Sequence, residues 1–109
     1  MDYQMALRGR LFYDTPAIAQ IAREEARELL MEEDPEFRDA VIGLFFDAFV
    51  QRDTVIDVGF TIRGPEHFWF GIESLAEALT LRASDGHLEG RNERFEPDVE
   101  RFVAGGAVV

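Results

Sequence analysis

Apolar and polar positions alternate from the first residues of the chain. Tyr3, Met5, Leu7, Leu11 and Tyr13 fall on one side, and Gln4, Ala6, Arg8, Arg10 and Phe12 on the other. A period of two over such a stretch predicts a half-buried strand. Gly9 sits on its apolar side, where a neighbouring backbone can approach closely. The period then changes. Thr15-Pro16 supplies a hydroxyl N-cap and a proline at the first helical position. Ile18, Ile21, Ala22, Ala26, Leu29 and Leu30 follow at steps of three and four. These features predict a helix over 16–32 with Gln20, Arg23, Glu24, Arg27 and Glu28 on its wet face.

Residues 37–51 satisfy both periods. As a strand, Ala40, Ile42, Leu44, Phe46, Ala48 and Val50 make one apolar side. As a helix, Asp39, Gly43, Asp47 and Gln51 make one polar stripe, and Asp34-Pro35 would start it. Aromatic and β-branched density favours a strand over 40–51, paired with the next one. That next strand, 54–63, is marked by Ile56, Val58, Phe60 and Ile62. Helical spacing of Phe68, Ile72, Leu75, Ala76 and Leu79 predicts a helix over 65–83, although Ser74 and Glu77 have the spacing of a capping box. Asp85-Gly86 ends that helix and leads to a polar edge strand over 87–95. Residues 97–109 are expected to form a short helical turn, closed by Gly105-Gly106, and a frayed tail.

The reading gives a single α+β domain over 1–109, in the order β-α-β-β-α-β. The alternative is β-α-α-β-α-β, should residues 37–51 be helical. The preferred order resembles ferredoxin-like domains in general, RNA-recognition domains and small dimeric α/β-barrel oxygenases among them. Of the third-strand signature of RNA-recognition domains, Asp57-Val58-Gly59-Phe60-Thr61-Ile62 keeps only Gly59-Phe60. Such a resemblance implies a fold and no particular function.

Composition narrows the chemistry. The 109 residues carry 22 acids against 11 basic residues, all of them arginine, for a net charge of −11. Residues 1–54 hold 12 acids and 6 arginines, and residues 55–109 hold 10 and 5, so the sequence has no acidic tail and no basic run. Direct binding to nucleic acid or to an anionic membrane is disfavoured on that distribution. Absence of lysine excludes a Schiff-base mechanism and a phosphate-loop lysine, and absence of cysteine excludes thiolate chemistry. No apolar run reaches the ~18 residues of a membrane span, and the N-terminus lacks a basic leader, so a cytoplasmic protein is expected.

Candidate sites are few. No His-Glu-x-x-His occurs, and no serine or threonine has a neighbouring histidine to activate it. No catalytic, metal or cofactor site is assigned. Asp85, His87 and Glu89 would project from one side of an extended segment, a weak metal pattern better read as an ordinary polar edge. Glu32-Glu33-Asp34 and Glu36 crowd the C-terminal end of the first helix, where its dipole disfavours negative charge. With Glu28 they make the densest acidic patch. On the strand reading Phe12, Phe45 and Phe49 face outward from the sheet and need a cover, which points to a homodimer or a partner contact. The expected function is therefore a small acidic protein that docks on a basic protein surface, with Glu28, Glu32, Glu33, Glu36, Phe12, Phe45 and Phe49 as the contact residues. A phage-type inhibitor of a nucleic-acid-handling defence complex, of the anti-CRISPR or anti-restriction kind, is the sort of protein meant. The alternative is a dimeric small-molecule binder or enzyme with an aromatic pocket around His67 and Trp69.

Overall fold

In the computed structural model the alternation at the N-terminus becomes the central strand of a sheet. The structure describes residues 1–105 and 107–108, except for the side chains of Phe46 and of residues beyond 105. Strand β1 (Asp2–Phe12) buries Met5, Leu7 and Leu11 completely. It pairs antiparallel with β3 (Val55–Pro65) on one side and with β4 (Asp85–Asn92) on the other. Gly9 lets β4 in. A Cβ there would meet the His87 carbonyl oxygen at 2.3 Å, and φ is +153°.

Helix α1 (Pro16–Glu32) starts as its sequence implies, with the Thr15 hydroxyl accepting from the Ile18 amide at 3.2 Å. Its buried stripe is Ala19, Ala22, Ala26 and Leu30, while Ile21 is exposed. Small residues let α1 lie close to the sheet and to helix α4 (Phe68–Leu81). Helix α4 is shorter than the span 65–83. Ser74 lies inside it, donating to the Phe70 carbonyl at 2.9 Å, so the Ser74–Glu77 spacing marks no helix start.

The segment 37–51 is where expectation and structure part. Asp34 caps helix α2 (Pro35–Ile42), its carboxylate accepting from the Phe37 amide at 3.4 Å. A short helix α3 (Phe45–Ala48) follows, and only β2 (Phe49–Arg52) is extended, paired with Val55–Val58. The expected strand over 40–51 is thus replaced by two helices and a four-residue strand. The reason is local: an Asp-Pro start plus an i, i+4 apolar pair, Phe37 and Val41, outweighs β propensity.

The chain is α+β, and among the described residues it has four helices and six strands. The sheet order is β2-β3-β1-β4-β5-β6, with every pairing antiparallel. Strand β4 is not an edge, because β5 (Val99–Val103) covers it and β6 (Ala107–Val108) covers β5. The helical turn expected within 97–109 is therefore corrected to a strand. Glu100 and Phe102 share the helix side of β5, and Val99, Arg101 and Val103 share the other. Of the expected frayed tail, Gly106 and Val109 lie outside the described residues. All helices pack on one face of the sheet, and the core fills the space between. No described helix is long and apolar enough to cross a membrane.

Candidate functional site

Two of the three rings expected on the outer sheet face are in the core instead. Phe45 is 2% exposed and Phe49 is fully buried. Helix α3 turns both inward, their ring centroids 4.8 Å apart, and Phe49 reaches Phe60 at 5.6 Å. The Arg23 guanidinium lies 4.8 Å from the Phe45 ring centre and donates to the Phe49 carbonyl at 2.7 Å. Only Phe12 stays on the outer face, 39% exposed. The aromatic patch that suggested a dimer is reduced to one ring.

What the outer face does hold is arginine. Register places Arg8, Arg10, Arg52, Arg63, Arg91 and Arg101 there, with Asp2, Asp57, Asp85 and Glu89, a net of +2 from the charged Asp, Glu and Arg side chains. The helices, connections and helix-side strand positions keep the other five arginines and eighteen acids, a net of −13. Arg10 bonds Asp57 at 2.6 Å, and Arg101 bonds Glu89 at 3.2 Å. A charge spread evenly along the chain is therefore strongly segregated in space.

The acidic patch survives folding. Glu28, Glu32 and Glu36 are exposed and Glu33 is half-buried. Among the described residues none of the four has an ion-pair partner. Nearby acids do: Glu25 pairs with Arg82 and Asp39 with Arg38.

His67 and Trp69 do not share a pocket. His67 lies at a shallow depression with Tyr3 and Phe70, its Nε2 3.3 Å from the Asp34 carboxylate. Asp34, Glu36 and His67 bring ligand-type atoms within 4.8 Å of one another, all on exposed side chains. Asp85, His87 and Glu89 form no such group among the described residues; Glu89 instead accepts from Arg101.

Trp69 faces the other way, into a cleft of about 390 Å³ beyond the edge of α4. Gly90 and Asn92 of β4 and Glu100 of β5 line it, with Phe95 and Asp98 from the connection between those strands. The cleft opens where the helix side of β5 at Glu100 meets Trp69 of α4, while Phe102 further along β5 is buried. Gly90 lets the indole rest on the sheet, since a Cβ there would meet the Trp69 ring at 2.8 Å. Asn92 is 1% exposed, and its Oδ1 accepts from the Arg94 amide at 3.0 Å. Its Nδ2 has no hydrogen-bond partner, the one such buried side-chain atom among the described residues. Native structures satisfy nearly all such groups, so an orphaned one calls for an explanation.

Beside the cleft, Glu73 of α4 faces Glu100 of β5. Burial, the bond to Glu100, and the charges of Glu100 and Glu77 push the Glu73 carboxyl up to about 7. Glu73 thus keeps its proton until near-neutral pH. Arg94, next to the lining residue Phe95, is paired with Glu66 and lies 5.5 Å from the Phe95 ring centre. None of these residues except Trp69 stood out in the sequence. The spacing of Trp69 and Glu73 puts them one turn apart on α4, but nothing local links them to residues 90–100. No protein-family model, curated protein or solved structure matches this chain.

Proposed function

We propose that this chain is a non-catalytic binding protein that docks on a basic protein surface through its acidic helix side. The observation that carries this reading is the charge segregation, −13 against +2. The unpaired Glu28, Glu32, Glu33 and Glu36 support it. Glu28, Glu32 and Glu33 crowd the end of α1, which has no basic residue in its last turn, so they gain nothing from its dipole, whereas Glu36 sits in the first turn of α2. Fields of one sign steer a partner of the other and raise its association rate. A surface basic enough to be attracted is also the kind that holds nucleic-acid phosphates, so docking would mask it. This is the physical content of an inhibitory role.

The test is affinity capture with the tagged chain at low and high salt, with captured proteins identified by mass spectrometry. The expected set is enriched in basic surfaces and thins as salt rises, and the variant with all four glutamates changed to Gln captures less of it. A captured set with no bias towards basic proteins, unmoved by salt and by the variant, rejects this reading.

A further inference from the structure

We infer that the cleft between α4 and the β4–β5 pair is a guanidinium-binding site, with Trp69 as the stacking platform and Glu73 and Glu100 as the ion partners. Three independent features converge there. The indole is a flat π surface held in place by the absence of a side chain at Gly90. Such a surface attracts a delocalised cation. Glu73 and Glu100, with Asp98 at the rim, offer acceptors for the fork of N–H donors that a guanidinium carries. The Asn92 Nδ2 donor has no protein partner, so the ligand must also bring an acceptor. A bare metal ion or a simple amine lacks that acceptor. An arginine residue has both, the cation at the end of its side chain and a carbonyl oxygen on its backbone.

The same chemistry occurs elsewhere in the molecule, with Arg23 seated over Phe45 and Arg94 over Phe95. Arg94 does not occupy the cleft's acid pair, because it is turned to Glu66. A ligand guanidinium would therefore find a protonated Glu73 beside Glu100, with no ion-pair partner on either among the described residues. Binding replaces that proton. Besides Glu100 from β5, the charged groups around Glu73 are Glu77 on its own helix and Asp98 from the β4–β5 connection, all negative. Capture should therefore weaken as pH falls below neutral and Glu73 keeps its proton.

The inference rests on the docking reading only for the origin of the arginine; the cleft itself can be tested without a partner. The probe is N-acetylarginine N-methylamide, titrated into the full chain while the Asn92 side-chain amide and the Trp69 indole N–H are followed by NMR. Both signals should shift saturably, more tightly at pH 8 than at pH 5.5. The citrulline analogue, equal in shape and uncharged, should leave both in place. Glu100→Gln, checked for an unchanged fold by amide shifts elsewhere, should weaken binding roughly tenfold. No saturable shift, or equal binding of the citrulline analogue, overturns the site. Saturable binding of the probe, joined to its failure to compete with a captured basic protein, keeps the site and removes arginine insertion as the docking anchor.

Discussion

The two faces of the sheet come from the same strands, one residue apart, yet they obey different physics. On the helix side β1 and β3 present Met5, Leu7, Leu11, Ile56, Val58, Phe60 and Ile62, all buried. On the other side the same strands present Arg8, Arg10, Phe12, Asp57, Thr61 and Arg63. The inner face is held by packing, where every methylene counts and a polar replacement is costly. The outer face is held by cross-strand pairs in water, where each pair contributes little. The cleft lies at the border of the inner face, and it shows what a half-dry surface permits: an orphaned amide and a glutamate that burial pushes up to about 7.

The largest effect should come from the inner face. Changing Phe45 and Phe49 together to Ser should abolish cooperative unfolding, as judged by circular dichroism. Each truncation of a buried phenylalanine costs about 3–5 kcal/mol, and domains of this size are stable by about 5–15 kcal/mol. Phe12→Ser, in contrast, should cost under about 1 kcal/mol in urea unfolding. A folded double variant would mean those rings are not in the core.

Glu73→Gln sharpens the comparison at the cleft. The folded state holds the Glu73 proton more tightly than the unfolded chain, with a pKa of about 7 against 4.5. Stability from this group is thus fully present below the unfolded value and is lost as pH rises through the folded one. The variant should melt higher than the parent at pH 8 and show a flatter pH dependence between 4.5 and 7. Equal melting temperatures at pH 8 would remove the acid pair as a source of strain.

Smaller again is the outer ladder. A double-mutant cycle on Arg10 and Asp57, whose side chains are 61% and 31% exposed, should give a coupling of about 0.2–1 kcal/mol that fades in salt. A larger coupling would make the outer face a structural element in its own right. For the fourfold Gln variant of Glu28, Glu32, Glu33 and Glu36, stability should change least, with a slight gain from lost repulsion. Association with a basic partner should slow and lose salt dependence, measured by stopped flow.

Local pattern was enough to find β1, β3 and the start of α1, because a strict period of two and a Thr-Pro cap each have one structural solution. It also established the acidity, the absence of lysine and cysteine chemistry, and the crowding of acids from Glu28 to Glu36. It could not resolve residues 37–51, where Asp34-Pro35 and the Phe37–Val41 spacing competed with a strand pattern equally present. The consequence reached the site residues: Phe45 and Phe49 changed sides of the sheet when α3 replaced a strand. Alternation put Arg8 and Arg10 on one side of β1, but it could not see the full gathering of arginines. Arg10 and Arg101 share a face only because β1, β4 and β5 pair in one register, and charge counted along the chain is blind to register. The cleft is the clearest case. Trp69, Asn92 and Glu100 meet because β4 and β5 pair beside α4, and the distance between chain segments is set by packing, which no local pattern encodes.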